Sequence, residues 1–333
     1  MAVTIKDIAA KAGVSNAMVS RALTGSGPVA PEKKRRILDI ADALGYVPNQ
    51  AAVSLRKTRS RTIGLCFSSI NRSTSPYVVH QVLIGVYDVV GGRYNIFVKG
   101  IDLHQPGTLS PGLCDGLLVM SQWDSDIEFL EEAWTKKIPM VAISRQLPLD
   151  IPFVVTDEQG GMAKAMDYLL SQGHRRIGII EGPQNLETVL CRHAGWWTSA
   201  KRWGIDPMSL PVEIGNFRYR AGKTAAARLL TVHPDLTALL CFNDEMALGA
   251  IDAAADLGLK VPDDLSVTGF DNWDFAGHSD AHLTTIERNT IRIASEGTRM
   301  LLGYMEQNIR PANVYLENKL IIRESVRPAA PAV

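Results

Sequence analysis

The chain of 333 residues is too long for one ordinary hydrophobic core, and it is long enough for a small module joined to a two-lobed domain. Apolar residues make up 46% and charged residues 21% of it, which is typical of a soluble globular protein and leaves little room for extended disorder. The N-terminus has no apolar run of signal-peptide length, and nowhere are there about 18 consecutive apolar residues, so we expect a cytoplasmic protein with no membrane partner.

The net charge is zero, but the charges are unevenly distributed. Residues 1–61 hold eleven Lys or Arg and four Asp or Glu side chains, whereas the remaining residues hold 24 basic and 31 acidic ones. A basic N-terminal segment on an acidic remainder is typical of a nucleic-acid-binding module attached to a second domain. The alternative is a terminus whose basic side chains are simply solvated.

No pattern in the sequence indicates catalysis or metal binding. The four cysteines are far apart in sequence and are expected to be small buried residues in a reducing compartment: Cys66, Cys114, Cys191 and Cys241. The histidines have no nearby nucleophile, no phosphate-binding loop is present, and the acidic residues lack metal-ligand spacing. We therefore predict no enzyme, no catalytic residue, no cofactor and no metal.

The N-terminal segment has the pattern of three short helices. Thr4 and Asp7 have the spacing of a capping box, so a first helix is expected to begin at about Ile5 and to end at Gly13. Ser15 is expected to cap a second helix that runs to about Leu23. Two short helices joined by a tight turn with glycine form a helix-turn-helix.

The second helix carries side chains suited to DNA. With Val19 and Leu23 facing inward, four residues point outward: Asn16, Ala17, Ser20 and Arg21. Asn pairs with adenine edges, Arg pairs with guanine edges, and Ala packs on a thymine methyl group. Thr4 and Ser15, at helix N-termini, are placed to meet phosphates. The alternative is a plain helical hairpin with a solvated face, and the pattern alone does not decide between the two.

A third helix is expected to begin at Pro31 and to run to Leu44, with Gly45 ending it. Its apolar positions repeat at helical spacing and should close a three-helix core: Ile37, Leu38, Ala41 and Leu44. The basic run of residues 33–36 is expected to form a solvated or phosphate-facing edge.

The stretch from Val3 to Leu65, VTIKDIAAKAGVSNAMVSRALTGSGPVAPEKKRRILDIADALGYVPNQAAVSLRKTRSRTIGL, resembles the headpiece and hinge of the LacI/GalR (lactose and galactose repressor) family along its whole length, without gaps. The resemblance implies a DNA-binding headpiece over residues 1–47 and a hinge helix with its linker over residues 48–61.

The hinge helix of that family orders on the operator and inserts a leucine into the minor groove. By resemblance, Leu55 falls on that leucine and Ala52 on the small residue beside it, and Asn49 is a further DNA-binding candidate. An apolar wedge unstacks one base step and is repaid by wider contact along bent DNA. A helix this short is marginal alone, so its order is expected to depend on DNA and a partner subunit.

From Thr62 onward, short apolar runs alternate with helical segments. The runs are TIGLCF, YNIFV, GLLVM, PMVAIS, RIGIIEG, ALLCFND and LSVTGFD. Such alternation predicts βαβ units with parallel sheets and helices on both faces, so the fold class is α/β with a small all-α headpiece. Ligands of such sheets bind at the carboxyl ends of the strands.

Four residues after these runs or in their loops suit a sugar-like ligand: Arg192, Phe217, Asn243 and Asp271. Arg and Asp hold neighbouring hydroxyls by charge-assisted hydrogen bonds, Asn adds a donor and an acceptor, and an aromatic face covers the apolar side of a ring. The alternative is that Asn243 and Asp271 cap helices and that Phe217 lies in the core. The residues alone leave both interpretations open.

The segments LLSQGHRRIGIIEGP, CRHAGW, CFNDEMALGAIDAAADLGLKVPDDLSVTGFDN and LTTIERN resemble the same family and the periplasmic sugar-binding proteins that share its fold. The resemblance implies a two-lobed effector-binding and dimerisation domain over residues 62–330. It implies effector contacts at Arg192, Asn243 and Asp271, a stacking aromatic at Phe217 and a further contact at Asp124. Candidates near these motifs are Tyr77 and Trp123, whereas Trp196 is expected in the core.

The chain departs from the family between YNIFVKGID and CDGLLVM, where members have a long helix and this sequence has only LHQPGTLSPGL. Two Pro and two Gly in so short a span do not form that helix, so a shortened crossover is expected over residues 103–113. The run HSDAH also replaces a more usual proline-containing one.

The sequence thus predicts a transcription regulator, a repressor, that binds a pseudo-palindromic double-stranded operator as a homodimer, because one short recognition helix gives too few base contacts alone. A small sugar-like ligand is expected to change operator affinity allosterically. The alternative is a corepressor-binding regulator that binds DNA only when liganded. Ligand identity, target genes and the sign of regulation stay open.

Overall fold

The computed structural model describes residues 3–24, 27–46, 60–70, 74–110, 112–274, 276 and 282–329. The chain divides into two units, Met1–Ser60 and Arg61–Val333. The predicted hinge helix, with Asn49, Ala52 and Leu55, lies outside the described residues, so its role on DNA stays a prediction.

The first unit contains the three predicted helices: α1 (Ile5–Ala12), α2 (Asn16–Thr24) and α3 (Pro31–Ala43). The Asp7 carboxylate accepts hydrogen bonds from the backbone N–H of Thr4 at 2.8 Å and from its hydroxyl at 2.7 Å, which fixes the start of α1. Gly13 ends the helix with φ 66°, a conformation that favours glycine. The helix bounds predicted from the caps are therefore confirmed to within a residue.

The three helices enclose a small apolar core that includes Ile8, Val19, Ile37 and Ala41. Leu38, which we expected in this core, is 39% exposed, so that prediction is wrong. Ile37 and Ala41 are one helical turn apart and share the buried face, whereas Leu38 is turned about 100° away from Ile37.

The second unit contains twelve strands in its described residues: β1 (Thr62–Phe67), β2 (Asn95–Gly100), β3 (Gly116–Met120), β4 (Met140–Ile143), β5 (Phe153–Thr156), β6 (Ile177–Glu181), β7 (Val212–Ile214), β8 (Ala238–Cys241), β9 (Ser266–Asp271), β10 (Thr284–Glu287), β11 (Val314–Leu316) and β12 (Lys319–Ile321). Its helices are α4 (Pro76–Val90), α5 (Ile127–Thr135), α6 (Glu158–Ser171), α7 (Glu187–Arg202), α8 (Tyr219–Val232), α9 (Asp244–Asp256) and α10 (Thr290–Gln307). All seven apolar runs identified in the sequence form strands.

The strands form two six-stranded sheets, in the orders β11-β5-β4-β3-β1-β2 and β12-β10-β9-β8-β6-β7. The strand pairs are parallel except for β10 with β12, which is antiparallel. Every residue of β3 and β6 is buried, as expected for strands covered by helices on both faces. The predicted α/β class with parallel sheets is confirmed.

The chain passes between the two sheets three times. The crossings lie where β5 leads into α6, where β10 leads into α10, and between β11 and β12. We call residues 157–158, 288–289 and 317–318 the crossing segments. In the third segment Asn318 donates from Nδ2 to the carbonyl of Asp157 in the first at 2.8 Å, so these two segments are bonded to each other.

Among the described residues of the connection between β2 and β3, Ile101–Leu103 is the only helical turn. The predicted lack of a long helix is confirmed for residues 104–110 and 112–113. The Glu132 carboxylate, on α5, organises the replacement loop, because it accepts hydrogen bonds from the backbone N–H groups of Gly107 at 3.0 Å and Leu109 at 3.1 Å. His104 contacts the same carboxylate at 2.8 Å.

Candidate functional site

A cleft lies between the two sheets of the second unit, at the carboxyl ends of their strands. It holds about 600 Å³ of space that no protein atom occupies, part of it open to solvent. The position, at the carboxyl ends of the strands, is the one expected for a ligand site of parallel sheets. The lining residues are Thr74, Ser75, Val78, Met120, Gln122, Leu186, Thr188, Arg192, Phe217, Asn243, Asp271, Trp273 and Arg288.

Arg192, on α7, is 2% exposed, and the protein binds all three of its guanidinium nitrogens. Nε donates to Glu158 at 2.8 Å, Nη1 donates to the carbonyl of Phe242, and Nη2 donates to Asp271 at 3.4 Å. The guanidinium also lies 3.7 Å from the centre of the Phe270 ring, a cation–π contact. This arginine is therefore held in one orientation by its neighbours.

Glu158 is the centre of the charge cluster beneath the cleft. One of its carboxylate oxygens pairs with Arg192 at 2.7 Å and the other with Arg288 at 2.7 Å. Burial alone would raise the pKa of Glu158, but the two guanidinium groups together hold it below its ordinary value. Glu158 therefore carries a negative charge between two positive ones.

Two buried aspartates, Asp271 on the cleft and Asp244 near it, have the opposite pKa shift. Burial raises the pKa of Asp271 to about 6, although Arg192 and Arg288 favour its charged form. Burial and then the nearby Asp271 raise the pKa of Asp244 well above its ordinary value. Asp271 is thus protonated more readily than an ordinary aspartate.

Asn243 has both the capping role and a position on the cleft. Its side-chain oxygen accepts a hydrogen bond from the backbone N–H of Met246 at 3.0 Å and caps α9. Its Nδ2 donates to the carbonyl of Phe217 at 3.0 Å. That bond holds Phe217 in its left-handed conformation, φ 64°, with the residue on the cleft. The capping alternative and a ligand role are therefore compatible.

Three other effector candidates lie elsewhere. The Asp124 side chain is 95% exposed and pairs with Arg145 at 2.6 Å. With Trp123 it lines a second cavity, apart from the one that contains Arg192. Tyr77 is 48% exposed and stacks on Trp273, with ring centres 5.1 Å apart. The structure brings together four of the seven predicted effector residues and leaves these three outside the cleft lining.

The structure adds two residues that the sequence does not point to, Arg288 on the cleft and Glu158 beneath it. Arg288 comes directly after β10, at a strand end like those of the other candidates, but the run LTTIE is short and mostly polar. Glu158 does not lie in a recognisable motif. Trp196, expected in the core, is fully buried and donates from its ring nitrogen to Glu181 at 2.7 Å.

The first unit presents the predicted DNA-facing residues on α2. Asn16, Ala17 and Arg21 are exposed and Ser20 is half-buried. The Nε of Arg21 donates to the carbonyl of Ala17 at 3.3 Å. The hydroxyl of Ser15 accepts from the backbone N–H of Met18 at 3.3 Å, so it caps α2 as expected. The basic residues 33–36 are all exposed.

Comparison with known proteins identifies the class. Residues 4–49 match the bacterial regulatory proteins of the lacI family, and residues 166–326 match the periplasmic binding protein-like domain. The chain is 36% identical over 329 residues to the probable HTH-type transcriptional repressor ExuR of Bacillus subtilis (strain 168), with 98% of each chain covered. The chain belongs to the lacI family of bacterial regulatory proteins, and it is a DNA-binding transcription regulator.

Two solved structures are similar over nearly the whole chain. A complex of the transcriptional regulator CelR with cellobiose has a TM-score of 0.71 and 28% identity, and covers 97% of this chain and 99% of its own. A lac repressor dimer bound to operator and the anti-inducer ONPF has a TM-score of 0.86 and 23% identity, with 98% and 100% covered. The lac repressor comparison establishes the fold.

Neither a metal centre nor a membrane-spanning helix is found among the described residues. No group of three or more His, Cys, Asp or Glu side chains there is arranged to hold a metal ion. Within the same residues, no helix combines the length and the apolar character needed to cross a membrane.

Proposed function

We propose that this regulator is a repressor whose operator affinity changes when a small sugar-like ligand enters the cleft between the two sheets. The observation that carries the proposal is the set of polar side chains on the cleft, with Arg192, Asp271 and Asn243 beside the aromatic rings of Phe217 and Trp273. Aromatic faces cover the apolar side of a sugar ring, and the polar groups bind its hydroxyls. The similar CelR structure is a complex with cellobiose, which supports a sugar as the class of ligand.

The crossing segments connect the ligand site to the arrangement of the two lobes. Arg288 lies in the second crossing segment and on the cleft, and it pairs with Glu158 in the first. A ligand that contacts residues from both sheets favours one relative arrangement of the lobes. Operator affinity then changes only to the extent that the ligand binds the two arrangements differently.

We infer further that the headpiece spans residues 1–47, the hinge helix with its linker residues 48–61 and the effector-binding domain residues 62–330. Two copies bind a pseudo-palindromic operator, because a single recognition helix contacts too few bases. DNA contacts are proposed for Thr4, Ser15, Asn16, Ala17, Ser20, Arg21, Asn49, Ala52 and Leu55. The similar lac repressor structure is a dimer bound to its operator, which supports this arrangement.

The effector contacts proposed for Asp124, Trp123 and Tyr77 require either a ligand that extends beyond the cleft or a movement of these side chains. The cytoplasmic location stays a prediction.

Because the family consists of regulators, we propose that the ligand is bound without being converted. Incubation of candidate sugars with the pure protein, followed by analysis of the products, tests this.

A thermal-shift screen of sugars, sugar acids, polyols and nucleosides would identify the ligand, since a ligand that binds only the native state raises the stability of the protein. The operator is obtained by selection from randomised DNA with the full chain. A ligand that stabilises the protein should weaken operator binding, whereas tighter binding would favour the corepressor alternative. A stabilising ligand that leaves operator affinity unchanged contradicts the proposed function.

A further inference from the structure

The two buried arginines of the cleft use their hydrogen-bond donors differently. Arg192 donates from all three nitrogens to protein groups. Arg288 donates only from Nε, to Glu158 at 2.7 Å, and neither of its Nη atoms donates to a residue that the structure describes. Arg288 is nevertheless only 4% exposed and lines the cleft. A buried charged group with two donor nitrogens that donate to no acceptor is costly, unless a partner accepts their hydrogen bonds.

We propose that the ligand is a sugar acid and that Nη1 and Nη2 of Arg288 bind its carboxylate as a bidentate pair. This inference rests on the proposed function, since it names the chemical class of the ligand of the same cleft. A planar guanidinium matches the two oxygens of a carboxylate in spacing and direction, and such charge-assisted pairs are about twice as strong as neutral hydrogen bonds. The hydroxyls of a neutral sugar would offer these donors only uncharged acceptors, which form weaker hydrogen bonds.

A second feature of the same cleft favours an anion. Helix α4 begins at Pro76, directly after Ser75, and its first turn contributes Val78 to the cleft lining. The N-terminus of a helix attracts negative charge. Among the described residues, the buried Ser75 hydroxyl and the buried Nε2 of Gln122 have no hydrogen-bond partner, and both residues line the cleft. Three polar groups on one cleft thus lack, in the described part of the chain, the partners that a ligand would supply.

The charges around Arg288 allow an anion to enter. The groups that face Asp271 are Arg192 from α7, Arg288 from the second crossing segment, Glu158 from α6 and Asp244 from α9. Burial raises the pKa of Asp271 to about 6, so a second carboxylate nearby converts it readily to the neutral acid. The site then holds two guanidinium groups against Glu158 and the ligand carboxylate, which keeps the charges balanced.

The test is calorimetric titration of the full-length protein with matched probes: D-glucuronate, D-galacturonate and D-gluconate against D-glucose and D-galactose. We expect at least one acid to bind about tenfold or more tightly than its neutral parent, because hydrogen bonds to charged groups contribute the most. Arg288→Gln should remove that advantage. Arg288→Lys should retain part of it, since lysine keeps the positive charge but lacks the two parallel donors of the guanidinium group. Arg292→Gln, an exposed position on α10, is the matched control and should behave as wild type.

Each outcome has a separate meaning. Neutral sugars that bind as tightly as their acids, or an unchanged acid affinity in a folded Arg288→Gln variant, would overturn the inference and leave the proposed function intact. No binding of either class, together with no ligand effect on operator affinity, would overturn the proposed function itself. If Arg288→Gln does not fold, titration of the wild-type protein and of Arg288→Lys decides. Tighter binding of the acids than of their neutral parents, with a smaller advantage in Arg288→Lys, supports the inference, and an equal advantage in the two proteins contradicts it.

Discussion

Arg288 donates a hydrogen bond from Nε to the buried carboxylate of Glu158 at 2.7 Å, and this pair joins two of the three segments that connect the sheets. Asn318 in the third segment donates to the carbonyl of Asp157, next to Glu158. Arg288, which lines the cleft, is therefore part of the segments that connect the two sheets. A ligand that contacts Arg288 would therefore act directly on the segments that connect the two sheets.

Glu158→Gln should destabilise the protein strongly. The substitution removes the negative charge that pairs with both Arg192 and Arg288, and breaking a buried pair in this way typically costs about 3–5 kcal/mol. The measurement is urea unfolding of the second unit within the full chain. Glu306→Gln, at an exposed position on α10, is the control and should change the free energy of unfolding by less than about 0.5 kcal/mol. Equal effects of the two substitutions would show that the cluster does not stabilise the fold.

The contribution of Asp271 to stability should fall as the pH rises. Burial raises its pKa in the folded protein to about 6 from an ordinary value of 3.8, so the folded state holds the proton more tightly than the unfolded state. Its contribution is therefore fully present below about pH 4 and is lost as the pH passes through about 6. The difference in unfolding free energy between wild type and Asp271→Asn should follow this course. A difference that rises with pH over this window would contradict the assigned shift.

Gly85 on α4 should not tolerate alanine. A Cβ there would lie 2.4 Å from the carbonyl oxygen of Ile291 on α10, so the two helices would have to separate. Overpacking of this kind typically costs about 1–3 kcal/mol. Gly303→Ala is the matched control, because a Cβ at that position of α10 meets nothing within 4 Å and alanine is the better helix former. Thermal unfolding should show a lower midpoint for Gly85→Ala and an equal or higher one for Gly303→Ala, and a reversed order would refute the packing described.

Glu132→Gln should loosen the short loop between β2 and β3. The pair with Lys136 is the main favourable contact that lowers the pKa of Glu132 to about 2, with His104 and the loop N–H groups adding to it. The stabilisation is present above the ordinary pKa of a glutamate and is lost as the pH falls towards 2. Amide hydrogen exchange at Gly107 and Leu109 should be faster in the variant at neutral pH. The neighbouring exposed Glu131 supplies the control, Glu131→Gln, in which exchange should not change.

Much of the fold was accessible from the sequence because its signals are local. Thr4, Gly13 and Pro31 mark helix ends through their own chemistry, and seven apolar runs mark strands. Among the strands that we did not predict, β7, β11 and β12 are three residues long and too short for a periodic pattern. Leu38 was misplaced because helical spacing alone does not define the edge of a buried face.

The cleft was predictable only in part, because its partners come from distant parts of the chain. Arg192 and Asp271 stand in recognisable motifs, and the structure brings them within 3.4 Å of each other. Glu158 and Arg288 are 130 residues apart and meet only because two crossing segments meet. Asp124 follows a strand end as Asn243 does, but its side chain turns towards Arg145 and solvent.

The most direct test of the account is operator affinity of the full-length protein, measured with and without a saturating ligand at one fixed salt concentration. We predict a change of about tenfold or more in wild type, in the range typical of allosteric coupling. Arg21→Ala should weaken operator binding by about 1–3 kcal/mol and leave ligand binding intact. Arg192→Lys should bind operator as wild type does but respond less to ligand. Operator affinity that is the same with and without bound ligand would contradict the account.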